Sequence, residues 1–173
     1  MVVHERAVGA TVEWYTPPSL FAALGLRFDL DPAAAANPTH DHVPADRKLA
    51  GWEYEDGLIE PWTGRVWLNP PYGPEAVPFI DKMVEHGNGI LLVAARTETR
   101  WFQKAAASAD AVCFLRDRLH FIRGTDGVQS RSSHASVLMG WGYESALAIH
   151  RADLGWTVLR GEPTWFERPE PPR

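Results

Sequence analysis

The sequence predicts an α/β fold: a mostly parallel sheet covered by helices on both faces, with an antiparallel hairpin late in the chain. Three observations predict it. Short apolar runs alternate with segments of helical period along most of the chain. The run Ile90-Leu91-Leu92-Val93-Ala94 is continuously apolar, as expected of a strand buried on both faces. Finally, 173 residues suit one compact domain, with a core over about residues 13–141 and a proline-rich tail over about 163–173 that is expected to fray.

Each element has its own signal. Thr16-Pro17-Pro18-Ser19-Leu20-Phe21-Ala22-Ala23-Leu24-Gly25 reads as a short helix, with Thr16 as its cap, prolines in the first turn and Gly25 at its end. Leu20, Phe21 and Leu24 then share a buried face. Phe28-Asp29-Leu30-Asp31 reads as a strand stopped by Pro32, and Arg65-Val66-Trp67-Leu68 as a strand ended by Asn69-Pro70-Pro71. Val77, Ile80, Met83 and Val84 recur at helical spacing until His86-Gly87-Asn88-Gly89 closes the segment. Phe102, Ala105 and Ala106 mark another helix, and Ala111–Leu115 another strand. Arg118–Ile122 and Ala135–Trp141 read as two strands joined by a polar loop containing Gly124, Asp126 and Gly127. Beyond Trp141 the pattern carries little information.

Composition narrows the function classes. No apolar run approaches the roughly 20 residues that span a bilayer. The first residues lack a secretory pattern, so the cytoplasm is the expected location. A single cysteine, Cys113, excludes an internal disulfide and a cysteine zinc cluster. The net charge of −5 argues against coating nucleic acid by bulk electrostatics. Its distribution is uneven: the balance is −7 over residues 1–95 and +3 over residues 96–131. An acidic first half suits a cationic cofactor, and a basic stretch suits phosphates.

The strongest chemical signal is Asn69-Pro70-Pro71-Tyr72 directly after an apolar strand. Sheets of this kind bind ligands beyond the carboxyl ends of their strands. The exocyclic amine of adenine is a poor nucleophile because its lone pair is delocalised into the ring. The Asn69 side-chain oxygen and the Pro70 carbonyl are acceptors able to hold its two N–H groups and localise that lone pair. Two prolines restrict the turn that aims them. Tyr72 offers a flat face to an extruded base, a contact worth roughly 1–3 kcal/mol in single-strand binders.

This motif resembles the Asp/Asn/Ser-Pro-Pro-aromatic signature of DNA amino-methyltransferases. More closely, the chain resembles the phage-type DNA N6-adenine methyltransferase family from about Glu13 to Trp141. The likeness rests on Glu13-Trp14-Tyr15-Thr16-Pro17-Pro18, Phe28-Asp29-Leu30-Asp31-Pro32-Ala33-Ala34, and Asp56-Gly57-Leu58 with Trp62. It continues through Asn69–Tyr72, Ala95-Arg96-Thr97-Glu98-Thr99 with Trp101-Phe102, and Arg118-Leu119-His120-Phe121.

The resemblance implies a single-domain, Rossmann-like methyltransferase fold, abbreviated between the first strand and the Asn69 strand. It also implies S-adenosylmethionine as cofactor and DNA as partner. Asn69, Pro70, Pro71 and Tyr72 match the catalytic turn, with Asn69 also facing the cofactor. Thr16 and Pro17 match the segment that holds the cofactor's methionine part. Asp31 and Pro32 match the strand end that faces the cofactor, with Asp29 in the same acidic patch. Asp56 matches the acidic position that contacts the cofactor's adenine. One departure stands out. The loop after Asp31 reads Pro32-Ala33-Ala34-Ala35-Ala36-Asn37, without the glycines that many methyltransferases place there.

Arg96, Arg100, Arg118 and Arg123 are the candidate phosphate contacts, Arg96 foremost because it follows a strand's carboxyl end. The polar loop Arg123–Ser133 is a candidate for closing on DNA. Trp14 and Trp101 are expected to pack in the core. His40-Asp41-His42 lacks further ligands at metal spacing, and methyl transfer needs no metal. Chemistry alone leaves open cytosine N4, an RNA or protein amine, or a nucleic-acid-binding module without catalysis. Recognition sequence and oligomeric state have no signature in the chain.

Overall fold

The computed structural model describes residues 14–50 and 57–161. In chain order its elements are β1 (Trp14–Tyr15), α1 (Pro18–Leu24), β2 (Phe28–Ala34), β3 (Ala45–Ala50), β4 (Val66–Leu68), α2 (Ala76–His86), β5 (Gly89–Ala94) and α3 (Arg100–Ser108). Then follow β6 (Ala111–Leu115), β7 (His120–Arg123), β8 (Gln129–Arg131), β9 (Ser136–Trp141), α4 (Tyr143–Arg151) and β10 (Gly155–Leu159). Seven strands form the main sheet in the order β10-β6-β9-β5-β4-β2-β3, and β1-β7-β8 form a second, small sheet.

The fold is α/β, and the main sheet is mixed. Strands β3, β2, β4 and β5 pair in parallel, while the β5–β9, β9–β6 and β6–β10 pairings are antiparallel. Among the described strands three of the six pairings are parallel, all on one side of β5, which corrects the expectation of a mostly parallel sheet.

Apolar runs become strands buried on both faces because successive side chains point to opposite sides. Val66 and Leu68, Leu91 and Val93, and Val137 and Met139 pack under α2 and α3, against Phe79, Ile80, Met83, Phe102 and Ala105. Their neighbours Trp67, Ile90, Leu92 and Leu138 pack under α1 and α4, against Leu20, Phe21, Leu24, Ala146 and Ile149. The buried face expected of the first helix is thus observed.

Three local expectations are corrected. Pro32 does not stop its strand: β2 runs on to Ala34, with a register shift against β3 between Asp31 and Ala34. A proline is tolerated where a bulge removes the need for its missing N–H. Thr16 does not cap α1. Pro17 occupies that position with extended backbone, and no side chain caps the helix. The late hairpin exists, but β7 pairs with β8, whereas β9 enters the main sheet between β5 and β6. All six β9 residues are buried, and only the sheet interior offers that. No helix among the described residues is long and apolar enough to cross a membrane.

Candidate active site

Strands β2 and β4 are parallel neighbours, with Leu30 opposite Val66. Both strands run toward the same carboxyl edge of the sheet about 4.8 Å apart, with Asp31 level with Trp67, two residues short of Asn69. The proline-bearing turn after β4 takes the chain out of the sheet at once. Gly73 holds φ of 101°, a conformation closed to most side chains, and its carbonyl accepts the Ala76 N–H at 3.2 Å where α2 begins. This leaves Pro70 buried, Asn69 partly buried and Tyr72 59% exposed.

Thr16 is 4% exposed, and its hydroxyl oxygen accepts the Asn69 side-chain N–H at 3.4 Å. With the amide nitrogen turned to Thr16, the Asn69 carbonyl oxygen is free to face a ligand. Pro17, also buried, follows directly into α1. The segment before the first helix thus touches the turn after β4, although 53 residues separate Thr16 from Asn69.

Asp31 is 3% exposed. Burial pushes its carboxyl up to about 7, opposed by the Ala33 N–H, which donates to it at 3.1 Å. Nearby Asp41 raises it further, while Lys48 lowers it from within a 2.7 Å ion pair with Asp41. Pro32 is buried beside it, and Gly57 lies so close that an added Cβ would sit 1.9 Å from the Pro32 carbonyl oxygen. Lys82 of α2 donates to the carbonyls of Gly57, Leu58 and Glu60 at 3.1, 2.8 and 2.6 Å, and its ammonium lies 5.1 Å from the centre of the Trp62 ring. The helix that follows the Asn69 turn therefore pins the loop that closes on the Asp31 strand end. Asp56 lies outside the described residues.

Asp29 serves a different place. Its carboxylate accepts the Arg65 N–H at 2.5 Å and packs against Gly64, at the entrance to β4 rather than its exit. It is exposed and holds the turn that feeds the strand, away from the acidic strand end where sequence reasoning put it.

A cavity of about 790 Å³ opens beside Asn69. It is lined by Asn69, Pro70, Pro71 and Tyr72 of the turn after β4 and by Trp14, Phe121, Ser130 and Arg131 of the small sheet. Trp14 is 37% exposed, so the expectation that it packs in the core is corrected. Trp101 is half-buried, lines the same cavity and lies edge-on to Phe102 at 5.8 Å. Thr16 and Asp31 are not part of this lining. Asn69 thus joins the buried Thr16 to an open aromatic cavity, on the strand next to the one that carries Asp31.

Of the four candidate phosphate contacts, Arg96 alone lines the cavity. Thr99 donates to its carbonyl at 2.8 Å, and its guanidinium pairs with Glu98 at 2.9 Å. Arg100 is exposed at the start of α3, outside the cavity. Arg118 donates to the Ser133 carbonyl at 2.7 Å and braces the cavity wall from behind. Arg123 lies 3.2 Å from Asp126 and holds the β7–β8 turn. Sequence reasoning missed Arg131, whose only local signal was its place in the arginine-bearing polar loop.

No curated protein and no solved structure matches the chain. The description of the DNA N-6-adenine-methyltransferase (Dam) family matches residues 8–144, which include the Asp31 strand end, the Asn69 turn and the cavity lining. The chain belongs to the DNA N-6-adenine-methyltransferase (Dam) family.

Proposed function

We propose that this protein transfers a methyl group from S-adenosylmethionine to the N6 amine of an adenine extruded from DNA into the cavity beneath Tyr72. The observation that carries the reading is the placement of Asn69. It ends the strand beside Asp31 and at the same time walls an open aromatic cavity. A Rossmann-like assignment of the sheet is supported by helices on both faces and by ligand-side residues at its carboxyl edge.

The chain's residues fit the cofactor. A buried carboxyl with a raised pKa gains its charge most readily beside a cation, and the cofactor carries positive charge on its sulfonium and amino groups. Asp31, Pro17 and Pro32 would hold it, with the Gly57 loop packed against Pro32, while Thr16 orients the Asn69 amide. When bound there, S-adenosylmethionine would supply an electrophilic methyl group for transfer to an amine nitrogen, with its thioether as leaving group and the amine's surplus proton released to water.

The protein's part is positioning. The Asn69 oxygen and Pro70 carbonyl accept the two N–H groups of the amine, so the nitrogen lone pair points toward the Asp31 side. Thr16 and the two prolines hold those acceptors before the base arrives, which avoids reorganisation during the reaction. Tyr72 stacks on the extruded base, offsetting part of the few kcal/mol that extrusion costs. Arg96 at the rim serves a phosphate next to the target.

The test is incubation with methyl-tritiated S-adenosylmethionine and unmethylated plasmid DNA, then separation of the nucleosides. Label in N6-methyldeoxyadenosine is the expected result. Label in N4-methyldeoxycytidine, or only in RNA or protein substrates, would change the acceptor. Retained DNA binding with no label anywhere would make the chain a binding module.

A further inference from the structure

We propose that Arg131, with Ser130 beside it on β8, is a second phosphate contact of the target DNA strand, besides Arg96, and makes the small sheet a DNA-binding element of the chain. The proposal rests on reading this cavity as the site of the extruded base.

The observation behind it is a census of cations. Among the described residues, Arg27, Arg47, Lys48, Arg65, Arg96, Lys104, Arg116 and Arg123 are each in an ion pair. Lys82, Arg118 and Arg160 donate to backbone carbonyls. That leaves Arg100, Arg131 and Arg151, and of these only Arg131 lines the cavity. An exposed guanidinium with no carboxylate to satisfy it, at the mouth of an apolar cavity, matches a mobile anionic ligand that arrives from outside.

The surroundings select the kind of anion. Arg131 stands opposite His120 on β7, and Ser130 opposite Phe121, whose ring lines the same cavity. On the third strand the half-open Trp14, opposite Arg123, lines the cavity together with Tyr72. A ligand here meets aromatic faces inside and a cation with a hydroxyl at the rim. A nucleotide within a strand has that arrangement: a flat base on a phosphodiester chain. The short β8, Gln129-Ser130-Arg131, has no apolar residue and no core role, so its side chains are free for this contact.

The experiment measures binding of the full chain to a fluorescein-labelled 24-base-pair duplex by anisotropy, across a potassium chloride series. A phosphate contact releases counterions, so Arg131→Gln should lower the slope of log K against log salt by about 0.9. The same relation gives roughly an eightfold affinity loss at 0.1 M salt. Arg131→Lys, which keeps the charge, should restore the slope. Arg151→Gln removes an equally unpaired charge from the end of α4 and should leave the slope unchanged. An unaltered slope in Arg131→Gln, or equal losses in the Arg131 and Arg151 variants, would overturn the proposal. If wild type labels adenine yet Arg131→Gln binds as wild type does, this inference alone fails. If the slope falls as expected but no nucleoside is labelled, the catalytic reading fails and the phosphate contact stands.

Discussion

The Thr16 hydroxyl oxygen accepts the Asn69 amide N–H at 3.4 Å, across 53 residues of chain. Pro17 takes the helix-cap position, so the buried Thr16 is left to orient the amide through its hydroxyl. Replacing it by the isosteric valine should let the Asn69 amide rotate, at the cost of one net hydrogen bond of about 1 kcal/mol. We expect Thr16→Val to lower kcat about fivefold, with little change in cofactor Kd, and Thr16→Ser to restore the rate. Should Thr16→Val instead weaken cofactor binding at unchanged kcat, Thr16 would act on the cofactor rather than on Asn69.

Asn69 itself supplies the acceptor that a nitrogen nucleophile needs at the moment of attack. Loss of a preorganised group of this kind costs roughly 10²–10³ in kcat elsewhere. Asn69→Ala should therefore reduce transfer by at least that factor while the cofactor still binds, as read by quenching of tryptophan fluorescence. Equal loss of binding and turnover would count against its assigned role.

Much of this architecture was legible where a local pattern has only one structural solution. The strands carrying Asp31 and leading to Asn69 were visible from their apolar residues, and they do run parallel to one sheet edge, although only the second stops at its proline turn. The pairing of β7 was not legible. Ser136–Trp141 is the more conspicuous strand, yet its fully buried side chains draw it into the main sheet and leave β7 to the polar β8. Arg131 was hidden for the same reason, since three polar residues carry no strand signal. Arg118 and Arg123 show the converse. Sequence cannot tell an arginine that braces a loop carbonyl or a turn aspartate from one that waits for phosphate.

Tyr72 and Trp14 line one cavity, and both rings are substantially exposed. Exposed aromatics at such a mouth have no packing role to lose. Tyr72→Ala should lower kcat/KM for DNA by about five- to 150-fold, the equivalent of roughly 1–3 kcal/mol of stacking. Tyr72→Phe keeps the ring and should stay within about twofold of wild type. Neither variant should shift Tm. A drop in Tm with Tyr72→Ala would reassign the ring to structure.

Gly57 tests the loop behind the Asp31 strand end. An added Cβ would lie 1.9 Å from the Pro32 carbonyl oxygen, so backbone must move. Overpacking of this kind costs about 1–3 kcal/mol, or roughly 2–4 °C in Tm for each kcal/mol. Gly57→Ala should therefore melt several degrees lower and bind cofactor more weakly. Gly25→Ala, whose Cβ meets nothing within 4 Å, pays only for its left-handed backbone and should leave cofactor affinity intact.

Asp31 gives the site a pH dependence with a definite sign. Its carboxyl is raised from 3.8 to about 7, chiefly by burial, so between these values the folded chain holds a proton that the unfolded chain has released. The stability this provides is complete below pH 4 and is lost as pH rises toward 7, so the free protein should become less stable across that window. Cofactor binding should show the opposite slope. The cationic ligand prefers the ionised carboxylate, so affinity should rise as pH increases through about 7, with a proton released on binding at pH 6. Calorimetry in two buffers of different ionisation enthalpy measures that proton directly. Asp31→Asn should bind more weakly at pH 8, release no proton, and show a flat profile from pH 5 to 8 in both stability and affinity. A variant that kept the wild-type slope would assign the titration to another group and remove Asp31 from the cofactor's surroundings.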